Sequence, residues 1–190
     1  MGVLNLSDAS IKSGGKRTTF WDQATVWNEG LQLISTQSFY NVSDVDFDNV
    51  FSDTYVQYKI VADFTAAGGE FRAQWRAGGS DITSANYNQQ YLYYRTTTVS
   101  GARSTGRTEY EFGNVSAYDC VILEILNPYQ TAYTSGALIG NVNSETNNTN
   151  GSFIYSYGYS ATTSFDGIRF FPQFGTFSGT ISIYGYYKGE

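Results

Sequence analysis

The side chains best able to do chemistry in this chain are its carboxylates, because none of its 190 residues is histidine. Without histidine there is no Ser-His-Asp or Cys-His nucleophile, and no residue that exchanges protons readily near neutral pH. Glycoside hydrolysis needs only two carboxylates about 5–10 Å apart across a cleft. Glu109 and Glu111 would share one face of a strand, and Glu124 stands among apolar neighbours. A chain with 17 acidic residues supplies such pairs by chance. We therefore expect no enzyme and keep hydrolysis as an alternative.

A second group of carboxylates, in the segment Asp44–Asn49, begins like a calcium-binding loop. The similarity then ends, because Asn49 stands where the loop needs glycine and Tyr55 stands where it needs a bidentate glutamate. The alternation of Val45 and Phe47 with the aspartates indicates instead a strand whose carboxylates face water. We expect no metal and no other cofactor.

The single cysteine, Cys120, cannot form an internal disulfide bond. It begins the segment Cys120–Leu126, which is almost continuously apolar. Such a run is typical of a central strand that is covered on both faces. The sequence therefore predicts that Cys120 is a small buried hydrophobic residue.

The charge of the chain argues against nucleic acid as a partner. The 11 basic and 17 acidic residues give a net charge of -6, whereas proteins that bind phosphates carry a basic excess. The first 17 residues differ, with Lys12, Lys16 and Arg17 against Asp8 alone. No apolar stretch has the length of a membrane span or the pattern of a signal peptide. We expect no membrane insertion and synthesis in the cytoplasm without a signal peptide.

The composition predicts an all-β protein, since 17 tyrosines and 13 phenylalanines suit a pleated, half-buried surface. A length of 190 residues fits one compact domain. Apolar residues recur at every second position in Thr54–Phe64 and Phe71–Ala77, which predicts two strands. Eight further strands are predicted at Leu31–Ser38, Val45–Phe51, Tyr87–Thr98, Tyr118–Leu126, Ala132–Ile139, Phe153–Ser160, Phe165–Phe174 and Thr180–Tyr187. These strands predict an antiparallel β-sandwich, jelly-roll-like, and the polar stretches Ser100–Thr108 and Gly140–Ser152 are predicted to be surface loops.

Aromatic side chains on these strands could contact a sugar or another subunit. The candidates are Trp75, Tyr87, Tyr91 and Tyr93. An aromatic ring can pack on the C–H face of a pyranose, but alternating tyrosines more often serve sheet packing or a subunit contact. Both interpretations stay open at this point.

The last third of the chain carries a resemblance to a known family. The segments Asp166–Phe171 and Phe177–Gly185 resemble the strand pair that closes a β-sandwich in many tailed-bacteriophage virion proteins. Three earlier segments fit the same pattern, namely Tyr55–Phe64, Phe71–Gly79 and Ile122–Pro128. The resemblance extends from Leu31 to Lys188 and includes no catalytic residues.

The resemblance implies a structural or adhesive protein that is commonly a homotrimer. We expect a virion protein of the capsid decoration or cement type, with major capsid or tail proteins as partners and the particle surface as its location. The alternative is a tail-fibre or tail-tip module that binds a host surface glycan.

The expected division is a short extended N-terminal arm over residues 1–30 and a β-sandwich over residues 31–190. The arm would dock on the particle, and its candidate contact residues are Lys12, Lys16, Arg17, Trp21 and Trp27.

Overall fold

The computed structural model describes residues 10–13, 16–19, 30–66, 69–95, 98–114, 118–144 and 149–187. Within these ranges every regular element is a β-strand, and no helix is present that could cross a membrane. The strands are β1 Ser10–Ser13, β2 Lys16–Thr19, β3 Leu31–Val42, β4 Val45–Phe47, β5 Tyr55–Ala66, β6 Glu70–Ala77, β7 Ser80–Asp81, β8 Tyr87–Arg95, β9 Thr98–Arg107, β10 Tyr110–Asn114, β11 Tyr118–Leu126, β12 Thr134–Ser144, β13 Thr149–Tyr159, β14 Gly167–Pro172 and β15 Phe177–Tyr187.

Two antiparallel sheets form a β-sandwich, as the sequence predicted. The larger sheet has eight strands in the order β3-β15-β5-β11-β12-β13-β8-β9. The smaller sheet has the order β10-β6-β14-β4, and β7 pairs with β6. Strands β1 and β2 pair with each other in a separate hairpin. The all-β sandwich is thus confirmed, while this strand order does not establish the jelly-roll connectivity.

Aromatic rings from both sheets fill the space between them. Phe64 of β5 stacks on Phe71 of β6 with ring centroids 4.3 Å apart, and Phe71 stacks on Phe170 of β14 at 5.3 Å. Trp75 of β6 stacks on Phe165 at 5.2 Å. Such rings bury a large apolar area each and stabilise the packed sheets. The high aromatic content of the chain is therefore explained first by its core.

Two stretches that the sequence predicted to be loops are strands. Ser100–Thr108 falls almost wholly in β9, which forms an edge of the larger sheet. The stretch Gly140–Ser152 continues β12 to Ser144 and begins β13 at Thr149, while residues 145–148 lie outside the described ones. Ser152 Oγ donates a hydrogen bond to Asn141 Oδ1 at 2.8 Å. Polar residues can form these strands because the ladder hydrogen bonds come from the backbone.

Asp166, which opens the segment that carries the resemblance, joins the loops at one end of the sandwich. Its carbonyl accepts hydrogen bonds from the amides of Val50 and Phe51, at 2.8 and 3.0 Å. Its own amide donates to the carbonyl of Arg76, and its Oδ2 accepts from the amide of Gly78 at 2.9 Å. The role of Asp166 in this fold is thus to hold three loops together.

Candidate interaction surface

The aspartates of the segment that begins like a calcium loop lie on the outer face of the smaller sheet. Val45 and Phe47 are buried between them, so the strand interpretation is confirmed. Asp46 lies 3.0 Å from Arg76 Nη1, and Arg76 Nε donates to Asp48 Oδ1 at 2.7 Å. Guanidinium groups therefore neutralise these carboxylates.

A second arginine, Arg169 of β14, completes this cluster. Its Nη2 lies 3.0 Å from Asp44 Oδ2, and Asp81 pairs with both arginines. A hydrogen bond from Ser43 and the charge of Arg169 lower the pKa of Asp44. Among the described residues no group of three or more potential ligands is arranged to hold a metal ion.

The glutamates considered for hydrolysis lie on opposite outer faces of the sandwich. Glu109 and Glu111 both pair with Arg72 on the smaller sheet, at 2.5 and 3.4 Å. Glu124 lies on the outer face of the larger sheet, 3.7 Å from Lys59 Nζ. Glu124 therefore does not converge with the other two on a common cleft. We call the outer face of the smaller sheet, with its paired arginines and carboxylates, the charged face.

Two of the four aromatic candidates lie in the core. Trp75 and Tyr87 are 0% exposed, and the Tyr87 hydroxyl accepts a hydrogen bond from the Trp75 amide at 2.9 Å. The prediction that these two contact a glycan or another subunit is therefore wrong, because sheet-to-sheet packing covers their rings. Tyr91 is half-buried and packs on Tyr155, whereas Tyr93 remains 39% exposed.

The arm candidates are only partly within the described residues. Lys12 pairs with Arg17, and Lys16 with Ser13, in the register of the β1–β2 hairpin. Trp21 and Trp27 lie outside the described residues. The docking role of this segment stays a prediction.

The outer face of the larger sheet carries a feature that the sequence did not reveal. Five aliphatic residues on adjacent strands are paired side by side and form one line across the sheet. This aliphatic row consists of Val61, Ile122, Ile139, Ile154 and Leu92. The last four of them are 37–58% exposed.

Small or polar residues flank the aliphatic row on the same face. On one side the register places Lys59, Glu124, Ala137, Ser156 and Gln90, and on the other Asp63, Cys120, Asn141 and Ser152. We call this surface the aliphatic face. An aligned apolar line within a polar surround is typical of an interaction site rather than of scattered surface residues.

Cys120 shows how the aliphatic face escaped prediction. Its side chain is exposed, not buried as the sequence suggested. The apolar segment Cys120–Leu126 does lie in a central strand, but the second sheet covers only one of its faces. Ile122 and Leu126 are consequently 37% and 41% exposed. The aliphatic row forms only because five strands are paired in this register, and the sequence of a single strand does not reveal that register.

The comparisons with known proteins give no relative from which a site could be transferred, since no family model, curated protein or solved structure matches the chain.

Proposed function

We propose that this protein is a non-enzymatic structural subunit of a tailed-bacteriophage virion, of the decoration or cement type, that acts by binding neighbouring proteins. The observation that supports this best is the aliphatic row on the aliphatic face. The virion assignment itself rests on the resemblance of the segments that run from Asp166 to Gly185.

The two outer faces of the sandwich support a binding role in different ways. On the charged face, Arg72, Arg76 and Arg169 already pair with carboxylates of the same chain. Surface ion pairs of this kind contribute little to binding a partner. On the aliphatic face, exposed aliphatic side chains gain about 25 cal/mol for each Å² of apolar surface that a partner removes from water. The aliphatic face is therefore the better candidate for a contact.

Attachment to a particle is the first test. The full chain should co-sediment with particles purified from the source of the sequence and should be found in them by mass spectrometry. Deleting residues 1–17 should leave a folded sandwich that no longer attaches. Absence from purified particles would contradict the virion assignment, and unchanged attachment of the deletion variant would remove the docking role of the arm.

A tail-tip module that binds a host glycan is the second candidate, and the exposure of Tyr93 favours it. Tyr93 is 39% exposed and its ring lies 5.9 Å from that of Tyr91, so part of this aromatic pair is accessible to a ligand. A glycan array should then show hits that Tyr93→Ala abolishes and that Tyr133→Ala, at an exposed loop position, retains. An array without hits would exclude this candidate.

A further inference from the structure

We infer that the aliphatic face is covered by the same face of a second copy of this chain, with a two-fold axis running along the aliphatic row. The inference rests on the proposed function, because it names the partner of that surface. It is carried by three properties of the aliphatic face: its size, its charges and the length of its strands.

The size of the aliphatic face suits a stable pair. Eight strands about 4.8 Å apart make a sheet roughly 35 Å wide, and strands of 9–12 residues extend about 30–40 Å. This area exceeds the roughly 800 Å² that each partner buries in an interface of standard size. Small flanking residues such as Ala137, Ser152 and Ser156 allow a second sheet to approach to the usual distance of about 10 Å.

The charges of the aliphatic face select the direction of the axis. Lys59 and Asp63 lie on β5, two residues to either side of Val61. Rotation about the aliphatic row brings Lys59 of one copy over Asp63 of the other, and the reverse. Asp63 thereby gains an opposite charge, and Lys59, which lies 3.7 Å from Glu124 of its own chain, gains a second one. An axis along β12 would instead place Lys59 over Gln90 and leave Asp63 without a charge opposite it. Only the first arrangement is electrostatically complementary.

In the same arrangement the aliphatic row is buried against the aliphatic row of the second copy. Each residue of the row meets its own counterpart, so Ile139 packs on Ile139 of the second copy, as expected of an isologous interface. Strands β12 and β13 contribute only uncharged residues to the aliphatic face, for example Ser135, Asn141 and Ser156. Glu124 of the neighbouring strand β11 keeps its ion pair with Lys59 of the same chain, at 3.7 Å. No charge is therefore buried without a partner at the centre.

The length of the strands favours two copies over the three that the resemblance implies. Three flat faces around one axis meet at 60°, and strands that extend about 15 Å to each side collide unless the sheets stand away from the axis. The aliphatic rows would then no longer touch one another. Two faces pack without this conflict.

Sedimentation equilibrium of the full chain tests the pairing. At about 100 µM, above the micromolar limit for interfaces of this size, the chain should have twice its mass of 21.1 kDa. Ile139→Asp places two carboxylates against each other and should weaken the pair at least a hundredfold. Tyr133→Asp, at an exposed loop position, should leave the mass unchanged. Circular dichroism confirms that each variant is folded.

A charge-reversal experiment keeps the inference testable even where Ile139→Asp fails to fold. Asp63→Lys and Lys59→Glu should each weaken self-association about tenfold, because like charges then meet across the axis. A mixture of the two variants should regain the wild-type affinity, since each copy then meets opposite charges. A monomer at 100 µM, a mass of three chains, or a mixture that stays apart would overturn the pairing. Binding to particles can persist in each case, which separates this inference from the proposed function.

Discussion

Gly136 lies where the Tyr157 side chain crosses the inner face of the larger sheet. The Tyr157 hydroxyl reaches over β12 and donates a hydrogen bond to the carbonyl of Glu124, on β11, at 2.9 Å. A Cβ atom at Gly136 would lie 2.1 Å from that carbonyl oxygen and 2.5 Å from the hydroxyl. Three strands are thus connected by one side chain, and only glycine leaves room for it.

Gly136→Ala should lower the free energy of unfolding by about 3 kcal/mol, through overpacking and loss of this hydrogen bond. Gly158→Ala is the matched control, because its nearest neighbour, the Thr134 carbonyl oxygen, would lie 3.6 Å away. That control should change the stability by less than about 0.5 kcal/mol. Urea denaturation measures both variants, and equal costs would contradict the packing described.

Buried tyrosines should make the fold sensitive to high pH. Burial raises the pKa values of Tyr87, Tyr110 and Tyr157 above the ordinary value of 10.0. The folded state therefore holds these protons more tightly than the unfolded state. The resulting stability is complete below pH 10 and is lost as the pH rises further, by about 1.4 kcal/mol per tyrosine and pH unit.

Urea denaturation between pH 8 and pH 11.5 measures this slope. Tyr157→Phe should reduce it by up to about 1.4 kcal/mol per pH unit, because one linked proton is removed. Tyr133→Phe, at an exposed loop position, should leave it unchanged. A stability that does not fall above pH 10 would show that these hydroxyls ionise as readily in the folded protein as in the unfolded chain.

At the scale of elements, Arg76 holds three strands of the smaller sheet and a turn together. Its guanidinium contacts Asp46, Asp48 and Asp81, and its Nη2 donates to the carbonyl of Gly79 at 2.8 Å. The side chain is only 8% exposed. The hydrogen bond and charges of its partners outweigh the effect of burial and raise its pKa.

Arg76→Met should cost about 3 kcal/mol of stability, because it removes the ion pair with Asp48 and leaves Asp46 and Asp81 to share Arg169. The deficit should shrink as the pH falls towards 4, because burial already raises the pKa of Asp46 and loss of Arg76 raises it further. Arg107→Met, which removes a half-exposed arginine paired with Glu111, should cost less than about 1 kcal/mol. Thermal melts at pH 4 and pH 7 compare the two variants. A cost for Arg76→Met no larger than that for Arg107→Met would contradict the role of Arg76.

The sequence predicted the strands of the core well and the short and edge strands poorly. All ten predicted strands occur, because alternating apolar residues, or the continuous apolar run of Cys120–Leu126, mark segments that the core buries. Strands β1, β2, β7 and β10 were not among the ten, and most of β9 was assigned to a loop, since an edge strand such as β9 needs few apolar residues. Alternation separates the two faces of a strand but does not say which face the second sheet covers. It therefore could not show that the rings of Trp75 and Tyr87 point into the core.

At the scale of the whole molecule, the two outer faces of the sandwich differ in whether their side chains already have partners within the chain. The arginines and carboxylates of the charged face pair with one another. The aliphatic face instead exposes a line of apolar side chains, as a surface that binds another protein does. The segment Cys120–Leu126 has the composition of a strand covered on both sides, and the chain alone supplies only one cover. We propose that another protein covers the second face of this strand, and that this protein is another copy of the same chain.

A high-resolution reconstruction of purified particles tests the central claim most directly, because it shows whether this chain is bound there and what lies on its sheets. We predict that the sandwich is found on the particle surface with Ile139 and Ile154 against a neighbouring chain. A particle without the sandwich, or a sandwich whose aliphatic face is open to solvent, would contradict the account.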